Sequence, residues 1–401
     1  MYNARLDGLT EYPFQRLAAL LAGIEPPIGE KGALQTIMSI GEPQHAPPAL
    51  LHAALASAQG DWGKYPPNAG TPAYRNAVAA WCTQRFSLPA GFIDSERHIL
   101  PLAGSREGLF MAAQLCVPPL KNGAPPAVLM PNPFYQVYFG AAVMNGAEPV
   151  FVSATRESDF QPDYEGVAAA DLARTALAYL CTPSNPQGTI ASLAQLKAAI
   201  ALARKHDFVL ACDECYSEIY DAEAPAGALA ACAEMGEGLK NVLVFNSLSK
   251  RSSVPGLRAG FVAGDPDLIA KLSKLRAHGG AVQPLPVMAA ATALWSDEVH
   301  VRENRALYRA KNDDAARLFG DRFGFYRPAG GFFLWLDVKD GEAAAKALWQ
   351  RGGIKVLPGA YLSRAQNGVN PGHAYIRVAL VHDRAKVEDA LSRMIPILET
   401  L

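Results

Sequence analysis

The stretch from Phe245 to Phe261 reads FNSLSKRSSVPGLRAGF. Its one lysine, Lys250, follows an apolar run and stands eight residues before Arg258. An ordinary lysine, with a pKa of about 10.4, is a poor nucleophile at neutral pH. Burial and neighbouring cations can lower that value and make the amine reactive. Three other stretches carry groups of chemical interest. LACDECY places Asp213 and Glu214 directly after apolar residues, where a buried carboxylate needs a charged or hydrogen-bonding partner. CTPSNPQGT holds Asn185 in a turn, and AGSREGLF puts Gly104 and Ser105 at the start of a predicted helix. Free N–H groups and the helix dipole suit a phosphate there. Taken singly, Asn185 is equally a turn former and Ser105 equally a simple N-cap. Cys212 and Cys215 form a CxxC without a second ligand pair, so they read as small apolar residues at a strand end rather than as a metal or redox site.

These groups need elements to position them. Short apolar runs recur at 127–131, 148–153, 175–183, 208–214 and 241–247, with Ala/Leu-rich helical spacing between several of them, as at 192–206. Continuous apolar strands alternating with helices predict βαβ units and a largely parallel, buried sheet. In such sheets ligands bind beyond the carboxyl ends of the strands. Here those ends read PNPFY, CTPSNPQGT, CDECY and NSLSK, so four sets of polar residues can converge on one crevice. The last hundred residues predict a smaller α+β unit. A long helix over about 286–318 is followed by GFFLWLDV, a helix near 341–351, IKVLPG, YIRVALV and a final helix. The expected division is an N-terminal segment, 1–44, packing with the small domain; a large domain, 45–290; and a small domain, 291–401.

Composition bounds the partners. The chain has 401 residues, is half hydrophobic, and carries a net charge of −1. That balance gives no reason to expect nucleic acid or an anionic membrane as partner. No apolar run reaches the roughly 18 residues of a membrane span, and the first residues lack a secretory pattern. Six scattered cysteines suit a reducing compartment, so the expectation is a cytoplasmic protein with no metal.

Together the motifs resemble those of fold type I, pyridoxal-phosphate-dependent aminotransferases of class I/II. SLSKRSSVPGLRAGF is similar to that family's lysine motif, PSNPQG to its Asn-Pro-x-Gly motif and DECY to its Asp-x-x-Tyr motif. YPPNAGTPAYR, GSREG, PNPFY and YIRVAL follow the family's order. The resemblance implies an α/β fold with a mostly parallel central sheet and a smaller α+β domain. It also implies pyridoxal 5'-phosphate bonded to Lys250, with Asp213 on the ring nitrogen. Asn185 and Tyr216 would reach the phenolic oxygen, and Tyr135 would stack on the ring. Ser105, Arg106, Ser247 and Arg258 would hold the phosphate, with Ser249 nearby. Tyr65 would cross to a neighbouring subunit's phosphate, which implies a homodimer with shared sites. Arg377 would grip the α-carboxylate of amino and keto acid substrates, beside Gly41 and Asn185. Arg377 read alone is an edge-strand charge.

The lysine motif is similar in particular to that of the bacterial succinyldiaminopimelate aminotransferases, which implies glutamate as donor and N-succinyl-2-amino-6-oxopimelate as acceptor. The alternatives are an aminotransferase for another amino acid and a carbon–sulfur lyase on the same fold. A cofactor-binding regulator would need a DNA-binding module, for which the chain has no spare domain. Arg16 and Arg276 are candidates for the substrate's distal carboxylates, each equally a solvated helix charge.

Overall fold

The wholly apolar runs form wholly buried strands. In the computed structural model, which describes residues 1–29 and 32–401, the segments Ala127–Asn132, Thr175–Cys181, Val209–Asp213 and Val242–Ser247 have every residue buried. They lie inside a seven-stranded sheet. Its order is Ile99–Leu102, Gly260–Gly264, Val242–Ser247, Val209–Asp213, Thr175–Cys181, Ala127–Asn132, Glu148–Ser153. Only Gly260–Gly264 runs antiparallel to its neighbours. Side chains alternate between two cores. Leu177, Tyr179 and Ala211 pack on one side with the helices Ser105–Cys116, Gln136–Met144 and Pro266–Gly279. Ala178, Leu180 and Leu210 pack on the other with Pro72–Arg85, Leu193–Lys205, Ala228–Met235 and Leu285–Trp295. Burial on both faces is the state that parallel sheets require.

Two strands, Ile99–Leu102 and Gly260–Gly264, were not among the expected runs. The first is four residues with a proline and the second is closed by glycines, so neither carries a strong local signal. The helical stretch expected over 286–318 is two helices, Leu285–Trp295 and Val299–Phe319, separated at 296–298. The first contributes Met288, Leu294 and Trp295 to the large core. The expected domain boundary at 290–291 therefore falls within a helix.

The C-terminal part forms a three-stranded antiparallel sheet of Phe333–Asp337, Tyr375–Ala379 and Leu357–Pro358, with Tyr375–Ala379 in the centre. Leu336, Ile376 and Val378 pack there against Leu348 of Gly341–Gly352 and Leu391 of Arg384–Leu398. Leu17, from the helix Pro13–Leu20, packs with Trp335, Trp349 and Leu357. Among the described residues no helix is long and apolar enough to cross a membrane.

Candidate active site

Four parallel strands of the large sheet, Ala127–Asn132, Thr175–Cys181, Val209–Asp213 and Val242–Ser247, deliver polar groups to a single pocket of about 600 Å³ at their carboxyl ends. Val242–Ser247 ends in Ser247, whose hydroxyl accepts the Ser249 N–H and caps the short helix Leu248–Arg251. That turn presents Lys250. Its Nζ donates to the carbonyl of Gly41 at 2.5 Å. Burial is the main force pulling this amine down to about 8, opposed by negative groups such as Glu42 and assisted by Arg377 and Arg258. Gly41 is a glycine for a steric reason, since a Cβ there would lie 2.5 Å from the Phe333 ring.

Asp213 closes the neighbouring strand and is 5 % exposed. The partners its burial demands are both donors. Tyr138 donates its O–H to Oδ2 at 2.7 Å, and the Cys215 N–H donates to Oδ1 at 3.3 Å. Burial nevertheless holds the carboxyl above its ordinary range. Glu214 turns away from the pocket, where it accepts the Ala228 N–H at 2.7 Å and is pushed up to about 7 by burial.

At one end of the pocket Gly104 precedes the helix Ser105–Cys116 with φ +80°. A Cβ on it would lie 2.2 Å from Nη2 of Arg258, so only glycine leaves room for that guanidinium. Arg258 itself has a positive φ of 54° and donates to the carbonyls of Pro255 and Ala103. Ser105, Ser247 and Ser249 add hydroxyls to the same pocket. Arg106 is also there, but its Nε donates to the Tyr135 hydroxyl at 2.7 Å. Burial pushes that phenol up to about 12.

Arg377 lies on the central strand of the small sheet and is 5 % exposed, which removes the edge-strand reading. It donates to Asn185 Oδ1 at 2.9 Å and to the Ser39 carbonyl at 2.7 Å, stacks over the Phe333 ring, and keeps a buried Nε without a partner among the described residues. Burial lowers it to about 10. Tyr216 lines the pocket edge-on to Phe332 and Phe333.

Three expectations are corrected. Arg276 is neither a clamp nor a solvated charge: it is 2 % exposed and spent on the carbonyls of Pro101 and Ala281, beside Glu107. Arg16 is half-buried over the Tyr361 ring, 3.9 Å away, and lies outside the pocket lining. The two cysteines of the CxxC part company. Cys212 packs in the core, whereas Cys215 lines the pocket and donates to Ser105 Oγ at 3.0 Å. Tyr65 is fully exposed and does not line its own chain's pocket. Residues that the motifs did not single out also contribute, among them Tyr138 behind Asp213 and Tyr12 and Glu42 at the pocket.

The donor set fits pyridoxal phosphate. A helix N-terminus, a guanidinium and three hydroxyls suit a phosphate dianion. A carboxylate suits a protonated ring nitrogen, and an amine of lowered pKa suits an aldehyde. Such a site at the strand ends of a mostly parallel sheet defines a fold type I, pyridoxal-phosphate-dependent enzyme. The chain belongs to the class I and II aminotransferases, whose family model matches residues 35–394. It is 33 % identical over 362 residues to 4-dedimethylamino-4-oxo-anhydrotetracycline transaminase OxyQ of Streptomyces rimosus, covering 89 % of this chain and 92 % of that one. It is 28 % identical to an LL-diaminopimelate aminotransferase of Dehalococcoides mccartyi, covering 98 % and 97 %. Among solved structures, an aminotransferase from Neisseria meningitidis is similar at 40 % identity and a TM-score of 0.92, covering 98 % and 99 %. Aminotransferase AspB from Helicobacter pylori is similar at 36 % and 0.89, covering 98 % and 100 %.

Proposed function

We propose that this aminotransferase moves an amino group between glutamate and a long diaminopimelate-type keto acid, N-succinyl-2-amino-6-oxopimelate, at the pocket of Lys250. The observation that carries the transamination chemistry is the convergence of Lys250, Asp213 and Arg377 on one pocket. When bound, pyridoxal phosphate supplies the electron sink for charge developing at the substrate Cα. Arg377 and Asn185 bind the α-carboxylate, the planar fork of the arginine matching its two oxygens. Asp213, held by Tyr138, keeps a proton on the ring nitrogen. Lys250, with a pKa of about 8, can take a proton from the substrate Cα near neutral pH and return it. Ser105, Ser247, Ser249 and Arg258 orient the phosphate, and Tyr135 and Tyr216 the ring. Tyr65, exposed in its own chain, serves the partner's site in a homodimer.

The substrate rests on the succinyldiaminopimelate-like lysine motif. A second reading, free LL-diaminopimelate, is favoured by Glu42 at the pocket and by the relatives that carry that name. A carboxylate there suits the free distal ammonium, which succinylation removes. The test is a half-reaction screen. The pyridoxamine-phosphate-loaded enzyme is mixed with each keto acid, and the return of the aldehyde form is followed. N-succinyl-2-amino-6-oxopimelate is expected to give the highest kcat/KM, with the unsuccinylated analogue second. If oxaloacetate or an aromatic keto acid wins by about tenfold, roughly 1.4 kcal/mol, the diaminopimelate reading fails. Release of a thiol, ammonia and pyruvate from cystathionine by the aldehyde form, in place of amino-group exchange, would indicate a lyase.

A further inference from the structure

Lys311 takes no part in the chemistry above, yet it is a lysine only 1 % exposed. It projects from Val299–Phe319. Its Nζ lies 2.7 Å from His45 Nε2 and donates to the Leu380 carbonyl at 2.9 Å. The other ring nitrogen of His45, Nδ1, lies 2.7 Å from Asn304 Oδ1. Asn304 in turn donates through Nδ2 to the carbonyls of Lys250 at 3.0 Å and Arg251 at 3.2 Å. We infer that Lys311, His45 and Asn304 form a buried hydrogen-bond relay of fixed polarity that holds the main chain of Lys250, and that they are positioning residues for its amine.

Chemistry fixes the polarity. The carbonyls of Lys250 and Arg251 only accept, so Asn304 must turn its NH₂ toward them and its oxygen toward His45. His45 must then carry its proton on Nδ1, leaving Nε2 with a lone pair. An ammonium has only N–H groups to offer, so Lys311 donates to that lone pair. A doubly protonated His45 would set an N–H against the ammonium. Burial and the Lys311 charge both hold the imidazole below its ordinary pKa, in keeping with a neutral ring.

The need for such a device lies in Leu248–Arg251, a helix of four residues. One turn is too short to hold itself, and its last carbonyls lack helical partners. Asn304 supplies partners to two of them. The Ser253 hydroxyl also donates to the His45 carbonyl at 3.0 Å, while Gly41, four residues earlier, accepts from the lysine Nζ. Gly41 and His45 thus bond the lysine side chain and Ser253, two residues past the turn. The His45 ring also lies 4.5 Å from Tyr308, which stacks on Phe332, and the Lys250 amine sits 5.3 Å from the Phe332 ring.

The inference rests on Lys250 being the reactive lysine, and the two can fail separately. Borohydride reduction of the wild-type holoenzyme followed by peptide mapping tests the lysine; a label elsewhere overturns both. With Lys250 labelled, the relay is tested in the holoenzyme by His45→Leu, Lys311→Met and the conservative His45→Gln, whose amide can donate and accept as the imidazole does. Per cofactor-loaded subunit, His45→Leu and Lys311→Met are expected to lose at least about tenfold in kcat with KM changed less than about twofold, as for a misplaced reacting group. The visible circular dichroism of the bound cofactor should change with them, and His45→Gln should restore most of both. Nitrogen NMR of the histidine-labelled wild-type protein is expected to show His45 with its proton on Nδ1 near neutral pH. Variants that lower only the melting temperature, with kcat and the visible dichroism unchanged, overturn the relay. So does a His45 protonated on Nε2.

Discussion

The Tyr138 hydroxyl donates a 2.7 Å hydrogen bond to Oδ2 of Asp213 in a fully buried setting, and the Tyr138 ring stacks on Tyr179 with centroids 4.4 Å apart. Tyr179 is anchored in its turn, its hydroxyl donating to the Leu109 carbonyl at 2.7 Å. Asp213 is thereby aimed by an aromatic pair that never enters the pocket. Tyr138→Phe keeps the stack and removes the donor. A hydrogen bond to a charged group contributes about 1.5–3 kcal/mol, and a loss of that order in stability is expected. Without the donor the carboxyl rises further, so its anion weakens. Turnover should fall by at least about tenfold, the rate equivalent of roughly 1.4 kcal/mol. Denaturant melts and single-turnover rates check both effects, and unchanged rates would mean that Asp213 does not depend on Tyr138.

Lys250 should titrate well below an ordinary lysine. In the protein without cofactor, reductive methylation of Lys250, read by peptide mapping, is expected to rise with pH about a midpoint near 8. The linkage sign follows from the direction of the shift. A folded-state pKa below the unfolded value makes the protonated amine a destabilising group. The penalty is complete below about 8 and disappears as pH rises toward 10.5. Lys250→Met should therefore stabilise the cofactor-free protein at pH 7, by a margin that shrinks at alkaline pH. A constant margin would contradict the lowered pKa.

Gly104 makes room for Arg258. Alanine there meets two obstacles, a backbone at φ +80° and a guanidinium nitrogen 2.2 Å from the new Cβ. Backbone strain of this kind costs on the order of 1–3 kcal/mol. The displaced arginine also leaves the end of the pocket proposed to hold the phosphate. Gly104→Ala is expected to weaken pyridoxal phosphate binding more than pyridoxal binding, measured by fluorescence titration. Equal losses for the two ligands would place the phosphate elsewhere.

Residues at strand ends and in turns were readable because their local context is unusual. Lys250, Asp213, Asn185 and Gly104 each interrupt an apolar run or open a helix, and the structure brings all but Gly104 into the pocket lining, with Gly104 against Arg258 beneath it. Tyr138 could not be read in this way. In YQVYFG it is one more apolar residue of a buried helix, and its partner lies 75 positions away. Arg276 misled for the same reason. Its helix looks amphipathic and exposed, but the carbonyl of Pro101 that captures it belongs to a strand too short to announce itself. The break at 296–298 was also hidden, because the apolar pattern continues on both sides while Arg251 donates to the Asp297 carbonyl from another element. Non-local hydrogen bonding thus accounts for the misses at Tyr138 and Arg276.

Arg377 carries a buried Nε that has no partner among the described residues and a fork already oriented by Asn185 and Ser39. Arg377→Lys keeps the charge but loses the planar fork. Arg377→Gln loses both. Loss of a buried charged contact costs about 2–5 kcal/mol, so KM for glutamate and for the keto acid should rise together in Arg377→Gln, and by less in Arg377→Lys. A rise confined to one substrate would assign Arg377 to a distal carboxylate.

Tyr65 is fully exposed and Trp62, three residues earlier, is 59 % exposed, so this segment presents two large aromatic side chains to solvent in the single chain. The proposed role for the pair is at a subunit interface. A two-fold dimer brings the same surface of each chain to the other, so a residue that lies outside its own pocket can complete its partner's. Tyr65→Phe removes the hydroxyl that would reach the partner's phosphate, and Lys250→Ala removes the reactive amine. Each homodimer then has two defective sites. A heterodimer of the two chains has one site with both defects and one with neither. Purified heterodimers should recover up to about half of the wild-type activity per dimer, above the activity of either parent. Sedimentation verifies the dimer, and differential tags verify its composition. If Tyr65→Phe impairs the enzyme and verified heterodimers show no gain, Tyr65 acts within its own chain, and the proposed sharing of the site is wrong.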